Sequence, residues 1–216
     1  GPQQPTSPLQ SGGDRGGATP QTASLGQILL AAGGEEEGSS SPRYDAILVK
    51  PGWIRNADGT DSDWLIPADV LQDAADRQLF SGISHYVDHP ELFGFGWHQA
   101  PSVKDLGGVV SEGRWDPELQ GIRGTIRLYD TEAGQLMRTL YDQILQDKEA
   151  GLEVPRIGLS IAAYRKYRYD KESGKKVWTH IKKVDSVDLV YEPGAAGYIR
   201  QALSTVTSLT QPNPQT

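Results

Sequence analysis

Cysteine is absent from the 216 residues, which excludes disulfides, thiolate metal sites and a cysteine nucleophile together. Nucleophilic chemistry in this chain must run through Ser, Thr, Lys or a carboxylate. Long apolar runs are missing as well. No stretch nears the roughly 20 residues that span a bilayer, and the short run 25–32 lacks the basic flank of a signal peptide. The expectation is a soluble, intracellular chain with no membrane partner. Basic residues are outnumbered, 21 Lys and Arg against 28 Asp and Glu, for a formal net charge of −7. Nucleic-acid affinity rests on clustered cations that release counterions, so this balance argues against a nucleic-acid partner. The one basic cluster, Arg165, Lys166 and Arg168 with Lys182 and Lys183, is interleaved with strand residues and reads as a solvated strand face. An initial Met is missing too; Gly1-Pro2 reads as a cleavage scar or a processed terminus.

What is present suits one ordinary domain with flexible flanks. Hydrophobic residues make up 37% of the chain, and 25 glycines and 14 prolines accompany them. Residues 1–42 are rich in Gln, Gly, Ser, Thr and Pro and carry a Glu35-Glu36-Glu37 run; 204–216 have the same polar character. Such segments bury too little apolar surface to offset chain entropy, so disordered tails are expected at 1–42 and 204–216 around a folded domain at 43–203.

Inside that domain a first strand is expected at 44–50, then a loop through Ser62 with a turn at Asp58-Gly59. Pro67 opens a helix to about Phe80, with Val70, Leu71, Ala74 and Ala75 at helical spacing. A buried strand follows at 83–87, and 107–114 with 121–129 form a hairpin. The spacing predicts a helix over 131–150, with Leu136, Leu140 and Ile144 at i, i+4, Met137 and Tyr141 beside them, and Gly151 as terminator. Strands at 156–169 and 177–190 flank the turn 171–175 as a second hairpin. This mixture points to an α+β or mainly β domain.

Four histidines supply the candidate bases. His89 follows a strand and precedes Pro90 and a Gly-containing loop, which suits either a cleft residue or a plain surface residue before a turn. A zinc set of His85, His89 and Asp88 or His98 is weak. On a strand His85 and His89 lie about 13 Å apart at Cα, too far for one ion. Ser160 sits in Ile157-Gly158-Leu159-Ser160-Ile161-Ala162, where strand alternation puts Gly158, Ser160 and Ala162 on one face. Small neighbours leave room for an imidazole and a substrate backbone; the plainer reading is a serine packed tightly against another element. In Val184-Asp185-Ser186-Val187-Asp188-Leu189-Val190, alternation turns Asp188 away from Val187 and Leu189. Within an apolar strand that acid needs a partner, either His89 or a base on the next strand such as Arg165 or Lys166.

Taken in order, Asp88-His89-Pro90 with Gly94 and Gly96, the helix 131–150, Gly158-Leu159-Ser160-Ile161, and Val187-Asp188-Leu189-Val190 with Pro193-Gly194-Ala195 resemble the prohead (capsid maturation) proteases of tailed bacteriophages. That family is similar to herpesvirus assemblin. The resemblance covers about residues 44–200. It implies an α+β fold, mainly an antiparallel β-sheet or barrel core surrounded by helices. It also implies a serine endopeptidase with His89 as general base, Ser160 as nucleophile and an orienting acid: Asp188, with Asp185 as runner-up and His180 as a further option. The turn 194–197 would supply an oxyanion donor. No cofactor or metal is implied. Substrates would be the phage scaffold and major capsid proteins and the protease itself, with self-association inside the procapsid, in the host bacterial cytoplasm. A catalytically inert capsid-assembly module of the same fold is the alternative.

Overall fold

The structure, a computed structural model, describes residues 41–56, 58–88 and 102–203, with the backbone alone of 92–93 and 97–98. All of these belong to the unit Ser40–Thr216. The two expected tails lie outside the described residues, apart from Ser41 and Pro42.

In chain order the elements are β1 (Arg43–Val49), β2 (Gly52–Arg55), β3 (Asp61–Ile66), α1 (Ala68–Asp76), β4 (Ile83–Tyr86), the short β5 (Leu92–Phe93) and β6 (Trp97–His98), a 3-10 turn at Val103–Asp105, β7 (Leu106–Asp116), β8 (Gly121–Leu128), α2 (Glu132–Glu149), β9 (Ile157–Asp170), β10 (Lys175–Tyr191) and β11 (Tyr198–Leu203). Nine strands form one sheet in the order β11-β1-β8-β7-β4-β10-β3-β2, with β9 pairing on β10. β1 runs between β11 and β8 and buries every residue from Tyr44 to Val49, including Asp45. Asp45 is admitted to that strand because Arg123 Nε and Nη2 reach it at 2.8 and 3.0 Å and Arg200 adds a further charged bond.

The α+β fold with a sheet or barrel core surrounded by helices does not hold, although most strand pairings are antiparallel as expected. Strands take 53% of the described residues and helices 20%, and the sheet is a curled, mixed half-barrel with only two α-helices among the described residues. The parallel component comes from β10, which pairs in parallel with β3 at its start and with β4 at Ser186. Such pairings join residues more than a hundred positions apart, which local periodicity cannot register. The segment expected as a loop through Ser62 is instead the β2–β3 hairpin, closed by Asp58, whose Oδ1 accepts from the Thr60 backbone N–H at 2.9 Å and its Oγ1 at 2.6 Å.

Other expectations hold with adjustments. α2 begins as read, with Thr131 Oγ1 accepting from the Gly134 N–H at 3.1 Å. Its inward stripe centres on Ala133, Met137, Tyr141 and Ile144, which are buried, with Leu140 half-buried against the core, whereas Leu136 is exposed. Close approach sets that rotation. A Cβ on Gly107 of β7 would stand 2.3 Å from Met137 Sδ, so the methionine fills the space a side chain would take. Among the described residues no helix is long and apolar enough to cross a membrane.

Candidate functional site

Antiparallel pairing of β9 with β10 places Ser160 directly opposite Asp188. Directly opposed residues project from the same face with Cβ atoms about 5 Å apart, so the hydroxyl and the carboxylate are near neighbours. Asp188 is fully buried, and its Oδ2 accepts from Ser186 Oγ at 3.0 Å; Ser186 itself is 2% exposed. Alternation therefore gave the face correctly, but that face is not a surface. β10 is an interior strand with β9 on one side and β4 and β3 on the other, and α1 packs against it. Arg165 and Lys166 pair with Ile181 and His180, well away from Asp188.

The small residues around Ser160 serve two different ends. Gly158 is not cleared space: a Cβ there would meet Gly197 O at 2.4 Å and Pro193 Cγ at 2.6 Å, so only glycine allows the turn after β10 to close over the strand. The Leu159 N–H donates to Gly197 O at 2.9 Å and fixes that contact. Beyond it, half-buried Ser160 borders a cavity of about 180 Å³ whose wall on β9 is otherwise Ile161, Ala163 and Arg165, the residues that alternation sets on the face opposite Gly158 and Ala162. Gly194 and Ala195 of the turn close one side, and Trp178, Ile54 and Ile66 complete the wall.

His89 lies outside the described residues, as does His98 in its side chain. Val87 bridges Leu189 in parallel, and the Asp88 N–H donates to Leu189 O at 2.8 Å. Asp88 adopts a left-handed conformation, with φ of 60°, so regular strand alternation ends there. The structure thus brings Ser160 and Asp188 together and delivers residue 88 to the neighbour of Asp188.

The remaining candidates are elsewhere. Asp185 is bulged out of the β9–β10 register and accepts from Lys183 Nζ at 2.6 Å. His180 stands eight residues before Asp188, about 26 Å back along an extended strand, with its Nδ1 3.8 Å from Asp73 Oδ2. His85 is fully buried and both ring nitrogens are engaged. Nδ1 lies 2.5 Å from Val187 O, an atom that only accepts, so Nδ1 carries the proton; Nε2, 2.5 Å away, then accepts from the Tyr141 O–H. Burial holds the His85 pKa below its usual value and that of the Tyr141 hydroxyl above it. This pair escaped sequence reasoning, since nothing in the spacing of residues 85 and 141 links them. Among the described residues no three His, Asp or Glu side chains converge as a metal site.

No family model and no curated protein matches the sequence. Among solved structures the fold is similar to that of the bacteriophage T4 capsid assembly protease, with a TM-score of 0.43 and 12% identity over 73% of this chain and 86% of that one.

Proposed function

We propose that this chain is a serine endopeptidase in which Ser160 attacks the peptide carbonyl, His89 takes its proton, and Asp188 orients the imidazole. One observation carries the reading: Ser160 and buried Asp188 face each other across β9 and β10, and the residue before His89 is tied to the neighbour of Asp188. The left-handed Asp88 supports it further, because continued alternation would send residues 87 and 89 to the same face.

In this scheme the hydroxyl proton passes to the imidazole as Oγ bonds to carbon, and the imidazolium returns it to the departing amine. Water then repeats the sequence on the acyl-enzyme. Asp188 holds the tautomer whose free nitrogen faces Ser160. A carboxylate in so buried a position stabilises the imidazolium more strongly than one in water. The turn 194–197 borders the same cavity as Ser160, which suits it to carry a backbone N–H for the oxyanion, worth about 3 kcal/mol in comparable sites.

The ordered motifs of the phage prohead proteases give the biological setting. The substrates in this reading are scaffold and major capsid precursors and the chain itself, inside a procapsid in the host cytoplasm, with self-association there. The test is to incubate the protein with such precursors beside Ser160→Ala and His89→Ala variants and follow fragments by mass spectrometry. Cleavage by the wild type alone is expected. Fragments that persist in both variants overturn the assignment, and a folded wild type that never cleaves favours the inert assembly module.

A further inference from the structure

The far end of the Ser160 cavity holds a cation in an unusual setting. Arg165 follows Ser160 by five residues on β9, and its guanidinium carbon lies 4.5 Å from the Trp64 ring centre and 4.8 Å from that of Trp178. Trp64 comes from β3 and Trp178 from β10, so two strands fix one side chain by cation–π contact. Two cations of β10 have carboxylate partners: Lys176 Nζ reaches Asp63 at 3.2 Å and Lys183 reaches Asp185. Among the described residues no carboxylate lies within ion-pair distance of Arg165. A guanidinium held on two rings keeps its N–H edge available for an anion, and its planar fork matches a carboxylate.

The backbone leads to this cation. The Leu159 N–H points away from β10 to Gly197 O, and alternation turns that of Ile161 to the same outward side. Past Gly197, β9 pairs only with β10 among the described residues. An extended chain lying beside Ser160 can therefore pair along this edge toward Arg165. Five residues of strand span about 16 Å.

We infer that Arg165, clamped by Trp64 and Trp178, is a specificity subsite for an acidic side chain of the polypeptide substrate, about five residues from the bond presented to Ser160. The inference rests on the protease reading for its substrate, but its test reads binding and does not depend on cleavage. Single-stranded nucleic acid also suits aromatic and cationic surfaces. The polypeptide is favoured because Trp178 is buried and Trp64 is already contacted by Arg165, Lys176 and Tyr167, so this subsite offers a hydrogen-bonding edge rather than an open indole face.

The chain supplies a probe in its own residues 33–43, in which Glu35-Glu36-Glu37 precede a run of small residues. The binding protein is the full chain carrying Ser160→Ala, with Glu35, Glu36 and Glu37 replaced by Gln so that its own acidic run does not compete. Fluorescence anisotropy compares the labelled 33–43 peptide with a version bearing Gln at the three acidic positions. The Glu peptide is expected to bind about fivefold more tightly, the upper end for an ion pair within reach of water. Arg165→Gln should erase the difference, Arg165→Lys should retain part of it, and Arg165→Glu should invert it toward a peptide with Lys at those positions. Thermal melts establish that each variant is folded, and if Arg165→Gln fails to fold, the Lys and Glu variants decide. Equal binding of the two peptides, a preference that survives loss of the Arg165 charge, or displacement by an oligothymidylate at lower concentrations than the Glu peptide overturns the inference.

Discussion

His85 should make folding stability depend on pH with a sign that its environment dictates. In the folded protein both ring nitrogens are committed to a neutral imidazole, with Val187 O receiving the Nδ1 proton and Tyr141 donating to Nε2. Protonating Nε2 would turn it into a donor to the Tyr141 oxygen and leave the Tyr141 hydroxyl proton without that acceptor in a fully buried site. Burial is the largest influence and lowers the pKa; the hydrogen bond to Val187 and the charge of Asp188 act in the opposite sense without overcoming it. In the unfolded chain the same group titrates near 6.5. Below that pH the unfolded state binds a proton that the folded state refuses, so the stabilisation present above pH 6.5 is lost as the pH falls toward the folded-state pKa. One such group changes stability by up to about 1.4 kcal/mol per pH unit. The assay is urea denaturation between pH 5 and 8 for the wild type and for His85→Asn, which lowers stability but cannot titrate. The difference in unfolding free energy between the two should shrink as the solution is acidified. A constant difference would show that His85 is free to protonate in the fold. A difference that widens at low pH would show that His85 is a cation paired with Asp188, and would refute the neutral assignment.

Tyr141→Phe leaves the buried Nε2 without its donor and should lower stability by about 1–3 kcal/mol, read from the urea midpoint at pH 8. Asp45→Asn leaves Arg123 and Arg200 facing a neutral amide and should lower stability by about 2 kcal/mol, with a loss that shrinks in high salt. Gly158→Ala drives a methyl group against Gly197 O and Pro193 and should lower stability by about 1–3 kcal/mol. It should reduce cleavage as well, because the displaced turn borders the Ser160 cavity. Asp188→Asn should slow cleavage by orders of magnitude, as loss of the orienting acid does in comparable triads, whereas Asp185→Asn should leave it within about twofold, since Asp185 forms an ion pair with exposed Lys183.

Several elements were legible because their signals are local. Thr131 and Gly151 bracket α2 as read, and the β7–β8 and β9–β10 hairpins follow from alternating residues around turn sequences. β2 and β3 were missed because the stretch is short and rich in Gly, Asn and Asp, while β3 is stabilised by pairing with β10, and β2 by pairing with β3, rather than by propensity. β11 was missed for the same reason: it gains its order from β1. Of the helical stripe Leu136, Leu140 and Ile144, Leu140 and Ile144 pack inward but Leu136 is exposed, since the contact of Met137 with Gly107 depends on a strand outside the helix. At the site, alternation placed Ser160 and Asp188 on consistent faces but not their burial, which depends on which strands flank β10. The left-handed turn at Asp88 has no local signature at all, because it is imposed where β4 leaves the sheet beside Leu189.

The central claim is that Ser160 is an activated nucleophile, and a fluorophosphonate probe tests it without knowledge of the natural substrate. Intact-mass and peptide mapping should find one adduct per chain, on Ser160. Labelling should be lost in His89→Ala and strongly slowed in Asp188→Asn, in variants whose melting profiles remain cooperative. An adduct on another serine, or labelling of Ser160 at an unchanged rate in His89→Ala, would contradict the account.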